Sequence, residues 1–203
     1  MLTDTRQSTA IRQRPLHFPF FYHITHKNNV EGIMHHGILS HSTVRDRCDI
    51  DAIDISDPEV QRHRSLLETE YYRPIHDYAP LYINPRNPML YRQRELQRHI
   101  VILKISSGIL SDNQHVFCDG NAASRDTKFS VTPEIIYSAL DALNAGYWNN
   151  VPDGKRRRCA EVLIYPHVSP VHIVAAICNN VALANEMAEV TKIKTEVKPS
   201  VFF

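Results

Sequence analysis

Three apolar runs constrain the fold of this chain more than any other feature of its sequence. They are HIVILKI (99–105), CAEVLIYP (159–166) and VHIVAAICN (171–179). Each has the length and the β-branched composition of a buried strand, and none approaches the length that crosses a bilayer. Helices and turns are dispersed between them without the regular alternation of a doubly wound sheet. The sequence therefore predicts an α+β fold.

The remaining elements are predicted from periodicity and from start and stop signals. NNVEGIMHHGI (28–38) is typical of a helix, with Asn28 as its cap and Gly37 at its end. Two more helices are predicted at 56–72 and 132–148, each with a proline in its first turn. The other predicted elements are the strands FPFFYHIT (18–25), PLYIN (80–84) and QHVFC (114–118), the helix VALANEMAEVTK (181–192) and the edge strand TEVKPSVFF (195–203).

The organisation of the chain is that of one domain. Its 203 residues contain no repeat and no low-complexity linker, so we expect a single domain over 1–203, with 1–14 as a flexible polar arm. The amino-terminal residues lack the apolar core of a signal peptide. The four cysteines form no CxxC pair, which favours free thiols in a reducing compartment. We therefore expect a cytoplasmic protein.

Glu161 is the most informative single residue. It lies in the apolar run CAEVLIY, where an ionised carboxylate costs on the order of several kcal/mol unless it is paired or hydrogen-bonded. The alternative is a solvent-facing position on an edge strand. Strand alternation places Glu161 on the same face as Leu163 and Tyr165. A face that mixes a charge with apolar side chains is typical of a cleft wall.

A second candidate group lies on the first strand. Alternation places His23 and Thr25 on one face, about 7 Å apart, and His26 on the other. His23 and His26 therefore do not form a shared metal site, and because no zinc-type spacing occurs we expect no metal. His23 and Thr25 suit the hydroxyls of a ribose. A carboxylate opposite them suits a positive charge that develops at a sugar C1′.

Arginines cluster in two segments although the formal net charge is only +1. One cluster lies in PRNPMLYRQRELQRH (85–99) and the other in GKRRRC (154–159), with Tyr82, Tyr91 and Trp148 nearby in the sequence. Such clusters suit a phosphate backbone with bases stacked on aromatic rings. A solvated basic face is the alternative.

Several blocks of the chain resemble, in order, those of the DarT family of NAD-dependent toxins, which ADP-ribosylate bases in single-stranded DNA. These blocks are YHITHKNNVEGIMHHGILS, DISDPEVQRHR, HDYAPLYINPRNPMLY, CDGNAAS, NAGYWNN and RRRCAEVLIYP. The resemblance implies the ADP-ribosyltransferase fold, in which two small antiparallel sheets form a split core around an NAD cleft.

The resemblance also implies roles for individual residues. Glu161 takes the position of the catalytic glutamate. Arg64 takes that of the catalytic arginine, with Arg62 as the alternative, because this chain has His63 where the family has a second adjacent arginine. The residues expected at NAD are His23, Thr25, Asn29, Tyr82 and Met89. The resemblance places the loop that contains Asn121 on the DNA-facing side, and from the basic clusters we expect Arg86, Arg92 and Arg157 at the DNA backbone.

The activity implied is transfer of ADP-ribose from NAD to a base of single-stranded DNA, with thymidine favoured over guanine. The implied partners are single-stranded DNA and a macrodomain antitoxin, DarG. Two alternatives stay open from the residues alone. One is an ADP-ribosyltransferase that acts on RNA or protein, and the other is a nucleic-acid-binding module without catalytic activity.

Overall fold

The computed structural model describes residues 17–47 and 49–203. The expected arm at 1–14 and Cys48 lie outside the described residues. The strands are β1 (Phe20–His26), β2 (Ile38–Leu39), β3 (Ala79–Tyr82), β4 (Ile100–Ser106), β5 (Gln114–Cys118), β6 (Phe129–Ser130), β7 (Glu161–Tyr165), β8 (His167–Val168), β9 (Ile173–Cys178) and β10 (Lys194–Val197). The α-helices are α1 (Val30–His36), α2 (His41–Asp46), α3 (Pro58–His63), α4 (Pro88–Arg92), α5 (Ile109–Asp112), α6 (Leu140–Asn144), α7 (Gly154–Arg157) and α8 (Val181–Thr191).

The main sheet is split into two halves. Its strand order is β10-β9-β4-β1-β3-β7-β5-β6, and β2 pairs with β8 separately. β1 pairs with β4 along its whole length, but it meets β3 at a single pair, Tyr22 opposite Tyr82. The predicted α+β class and split core are therefore confirmed, with the two halves joined at that one pair. β10 runs parallel to β9, because α8 carries the chain back to the same end of the sheet.

The core lies on both faces of the central strands. On β4, Val101, Leu103 and Ile105 belong to the larger apolar cluster, whereas Ile102 faces a second one. α8 packs on the half of the sheet that contains β9 and β10, through buried Leu183, Ala184 and Met187. Continuous apolar runs are expected of strands that are buried on both faces.

The helix predicted at 56–72 is wrong beyond His63. The chain turns away there because the buried Glu68 carboxylate accepts hydrogen bonds from the amides of Glu70, Tyr71 and Arg73 and from the Tyr78 hydroxyl. These hydrogen bonds hold the backbone of residues 68–73 in a loop around the carboxylate, and the loop forms in place of further helical turns.

Other predicted bounds also change. Asn28 does not cap α1, because the His26 ring accepts the Asn28 amide and residues Lys27–Asn29 form a 3₁₀ turn. The helix predicted at 132–148 is a 3₁₀ segment, Pro133–Ala139, followed by α6. Further 3₁₀ segments are Ile75–Asp77, Arg94–His99, Trp148–Asn150, Pro170–His172 and Pro199–Val201. Among the residues described, no helix is both long enough and apolar enough to cross a membrane.

Candidate active site

A cavity of about 980 Å³ opens beside β1 and β3, the two strands at which the halves of the sheet meet. This volume is in the range of ligand-binding clefts. Among the described residues that line the cleft, six side chains are basic and two are acidic. The basic ones are Arg45, Arg64, Arg92, Arg94, Lys155 and Arg156, and the acidic ones are Asp54 and Asp57. The excess of positive charge favours anionic ligands.

Glu161 and Arg64 form a buried ion pair next to this cleft. Glu161 is only 1% exposed at the start of β7, and one carboxylate oxygen pairs with the Arg64 guanidinium. The other oxygen accepts the Ala122 N–H at 3.1 Å. Glu161 faces Tyr82 on one neighbouring strand and Cys118 on the other. The prediction of a buried, paired Glu161 is confirmed, and the solvent-facing alternative is wrong.

The end of α3 places Arg64 at this carboxylate. Its amide donates to the Gln61 carbonyl at 3.1 Å, and its own carbonyl accepts the His76 amide at 3.0 Å. Burial acts to lower the pKa of Arg64, but the attraction and hydrogen bond of Glu161 outweigh burial and raise that pKa. The Arg62 side chain is 74% exposed and lies 3.6 Å from Glu59. Of the two candidate arginines, Arg64 is therefore the one that contacts Glu161.

The thiols near Glu161 are poor nucleophiles. Burial, reinforced by the charge of Glu161, raises the pKa of Cys159 to about 12 and that of Cys118 well above its ordinary value. Both therefore stay protonated near neutral pH, and the thiol form reacts weakly. The same two causes raise the pKa of the Tyr82 hydroxyl, which keeps its proton.

The His23 ring is fixed in one neutral form. Its Nδ1 lies 3.1 Å from the Pro80 carbonyl oxygen, and because a carbonyl only accepts, Nδ1 carries the proton. Burial lowers the pKa of His23 to about 4, partly offset by that hydrogen bond. At neutral pH its Nε2 is therefore a hydrogen-bond acceptor, and the ring lines the cleft. This chemistry suits a sugar hydroxyl.

Thr25 and Asn29 are linked to each other and to the segment that lies across the cleft. The Asn29 amide nitrogen donates to Thr25 Oγ1 at 3.1 Å and to the Ile53 carbonyl at 2.9 Å. Its oxygen accepts the Ile53 N–H at 2.8 Å. Both residues line the cleft, and their predicted contact with NAD stays a prediction. The Asn29 contacts also attach residues 52–57, which line the cleft, to the end of β1.

The other residues predicted from the sequence are divided between the cleft and the protein surface. Tyr82, Met89, Arg92 and Asn121 line the cleft, and Arg92 lies 2.5 Å from Asp57. Arg86 and Arg157 are engaged elsewhere. Arg86 donates to the carbonyls of Phe202 and Ser200, the latter at 3.3 Å. Arg157 donates to the Pro152 carbonyl at 3.0 Å and pairs with Asp141. The predicted contact of these two arginines with DNA stays a prediction.

Sequence reasoning did not single out several lining residues. Residues 52–57 have no apolar periodicity that would place them over a cleft. Lys155 and Arg156 were predicted only as members of a basic run. Exposed Tyr147 lines the cleft beside Trp148, at a ring distance of 5.7 Å. Aromatic and basic residues are the signal that points to the segment 147–156, whereas residues 52–57 carry no such signal.

Comparisons with known proteins identify relatives of this chain. The chain is 32% identical over 178 residues to a DNA ADP-ribosyl transferase–DNA ADP-ribosyl glycohydrolase fusion protein of Thermosipho africanus, which covers 84% of this chain. The chain spans about half of that longer relative, 46% of its length. It is 31% identical to a DNA ADP-ribosyl transferase of Mycobacterium tuberculosis, over 82% of this chain and 78% of the relative.

The fold matches that of Thermus sp. 2.9 DarT. The structure of that protein with ADP-ribosylated single-stranded DNA matches this chain at a TM-score of 0.83 and 21% sequence identity. The match covers 94% of this chain and 99% of the other. Its complex with NAD⁺ matches at a TM-score of 0.79, with 94% and 100% coverage. The family model described as ssDNA thymidine ADP-ribosyltransferase, DarT, matches residues 22–203. The chain therefore belongs to the DarT family of single-stranded DNA thymidine ADP-ribosyltransferases.

Proposed function

We propose that this protein transfers ADP-ribose from NAD to thymidine in single-stranded DNA. The observation that carries the proposal is the buried Arg64–Glu161 pair at the wall of a cationic cleft. Transfer breaks the bond from the ribose C1′ to the nicotinamide nitrogen, forms a bond from C1′ to a thymine ring nitrogen, and releases nicotinamide and a proton. Membership of the family supports this assignment.

The residues of the cleft fit NAD as the donor. The cationic lining, which includes Arg64, suits the diphosphate. The neutral His23 accepts a hydrogen bond from a ribose hydroxyl through Nε2, and Thr25 offers a second polar group on the same face of β1. Tyr82 and Met89 supply part of the apolar wall. NAD provides the ADP-ribosyl group, and a metal is not needed for this chemistry.

The catalytic roles follow from the positions of the two charges. The Glu161 carboxylate stabilises positive charge that develops at C1′, and with Arg64 it assists loss of the proton from the attacking base. The Ala122 N–H and the Arg64 guanidinium hold the carboxylate in one orientation. Such preorganised groups stabilise a transition state without reorganisation.

The proposed DNA substrate fits the surroundings of this pair. A base is reached only when it is out of a stack, which favours single strands. Arg92, Arg94 and Lys155 at the cleft suit the phosphate backbone, and exposed Tyr147 suits stacking on a base. We also propose a cytoplasmic location and a macrodomain antitoxin of the DarG type as partner. The fused glycohydrolase of the Thermosipho relative supports that partner.

The test is a comparison of acceptors. Protein is incubated with NAD labelled in the adenylate part and with single-stranded DNA, duplex DNA, RNA or a protein extract. We expect label on single-stranded DNA and its loss in Glu161→Gln. Label on RNA or protein instead would establish one of those alternative acceptors. Binding of single strands without transfer to any acceptor would favour a non-enzymatic nucleic-acid-binding module.

A further inference from the structure

The loop at residues 119–128 joins β5 to β6 and brings its backbone to the candidate catalytic carboxylate. It begins one residue after Cys118, which lies opposite Glu161 in the β5–β7 register. Within the loop, the Ala122 N–H donates to the Glu161 Oε1 at 3.1 Å. The position of the loop therefore affects the orientation of Glu161.

Arg156 ties both ends of this loop together. Its Nη1 lies 2.7 Å from Asp119 Oδ1 at one end and 3.1 Å from Thr127 Oγ1 at the other. Its backbone carbonyl accepts the Asn121 amide at 3.0 Å. Thr127 in turn donates to the Asn121 carbonyl at 2.6 Å. One residue outside the loop thus contacts three positions that flank Ala122.

Arg156 is itself held in place. Its Nε lies 2.5 Å from Asp153, the residue that precedes α7 and adopts a φ of 52°. The guanidinium packs directly on the loop backbone, because a Cβ atom added at Gly120 would lie 2.5 Å from Nη1. The Arg156 side chain is only 13% exposed. A mostly buried guanidinium with two carboxylate partners is a rigid support for the loop.

We propose that Arg156 is a positioning residue for the transfer reaction. It fixes the loop at 119–128, and through the Ala122 amide it fixes the orientation of the Glu161 carboxylate. This inference rests on the proposed function. Arg156 also lines the cleft, but the polar contacts given above are made to the protein itself, so we expect its effect on the reaction to be exerted through the loop and to appear in kcat, not in the KM for NAD.

The experiment compares Arg156→Gln, Asp119→Asn and the double variant. Asp119→Asn removes the charge that faces Arg156 while keeping an oxygen for the Lys128 amide. We expect kcat to fall about 100-fold in each single variant, because a displacement of about 1 Å at a reacting group has that effect. The KM for NAD should change less than about twofold. The double variant should be no slower than the single variants, because both changes break the same contact.

Two further variants complete the design. Arg156→Lys retains a cation that reaches one partner, and we expect an intermediate kcat. Arg47→Gln is the matched control, because Arg47 also pairs with an aspartate, Asp49, but does not line the cleft. Its kcat should equal that of the wild type.

Hydrogen exchange of residues 119–128, measured by mass spectrometry, gives a readout that does not depend on activity. Loss of the Arg156–Asp119 contact should speed exchange at Ala122 about tenfold or more. A raised KM for NAD with unchanged kcat in Arg156→Gln alone would overturn the proposal, since it would show direct contact with NAD. Unchanged exchange would also overturn it. If the wild type transfers nothing to any acceptor, the proposed function fails, whereas exchange still decides whether Arg156 holds the loop.

Discussion

Breaking the Arg64–Glu161 pair should destabilise the protein in a way that removing both charges does not. The two side chains are 8% and 1% exposed, so each is desolvated and depends on the other. Removing one partner of a buried pair costs about 3–5 kcal/mol, because the remaining charge is left buried. The loss in Arg64→Met should be near the upper end of this range, because the Glu161 carboxylate then keeps only the second of its two partners, Arg64 and the Ala122 N–H. Glu161→Gln should lie near the lower end.

These free energies correspond to measurable shifts. For a chain of this length, about 1 kcal/mol changes Tm by about 2–4 °C. We therefore expect Tm to fall by roughly 6–20 °C in each single variant. The double variant Arg64→Met/Glu161→Gln buries neither charge, and it should lie within about 2 kcal/mol of the wild type.

The assay is equilibrium urea unfolding of the wild type, both single variants and the double variant. The coupling free energy of the cycle should be at least about 4 kcal/mol, because the two single losses sum to at least about 6 kcal/mol and the double variant loses at most about 2 kcal/mol. Circular dichroism of each variant before denaturation serves as the control for folding. The opposite result would be a loss of less than about 1 kcal/mol of unfolding free energy in each single variant, with the two losses adding up in the double variant. That result would show that water solvates the pair.

Three other predictions concern the cleft. Burial lowers the pKa of His23 to about 4, so below pH 6.5 the unfolded state binds more protons than the folded state. The free energy of unfolding of the wild type should therefore fall by about 3 kcal/mol between pH 6.5 and pH 4, relative to that of His23→Gln. Parallel pH curves of the two proteins would contradict this. Asn29→Ala removes both side-chain hydrogen bonds to the Ile53 backbone. We expect faster hydrogen exchange of the Ile53 amide and weaker binding of NAD in calorimetry. Wild-type values for both would show that Asn29 does not hold Ile53 at the cleft. The slope of log affinity for single-stranded DNA against log salt should decrease by about 0.7 in Arg92→Gln. It should decrease by less in Arg157→Gln, because the Arg157 side chain is only 17% exposed, whereas that of Arg92 is 63% exposed. Equal decreases would place Arg157 at the DNA.

Strand alternation was sufficient to predict the walls of the site. The period of two places Glu161 on a buried mixed face and places His23 with Thr25, and the apolar runs fix the strands that carry them. These are local properties of the chain. The choice between Arg62 and Arg64 was not local, because both fell inside one predicted helix. It depends on where α3 ends, and the buried Glu68 determines the turn beyond that end.

Contacts between distant segments explain what the sequence did not predict. Residues 52–57 lie over the cleft because Asn29 binds Ile53, 24 positions away. Arg86 was expected at DNA from its place in a basic cluster, but carbonyls more than 100 positions away accept its hydrogen bonds. A run of arginines gives the charge of a segment, whereas the tertiary fold decides which guanidinium groups stay available for a ligand.

Mass spectrometry of an oligonucleotide after reaction with NAD shows directly whether the protein transfers ADP-ribose to thymidine. Single-stranded DNA that contains one thymidine is incubated with the wild type, Glu161→Gln or the Arg47→Gln control, and the modified nucleoside is located by fragmentation. We expect one ADP-ribose on thymidine with the wild type and the control, and none with Glu161→Gln. Unmodified thymidine with the wild type, or equal modification by Glu161→Gln, would contradict this expectation.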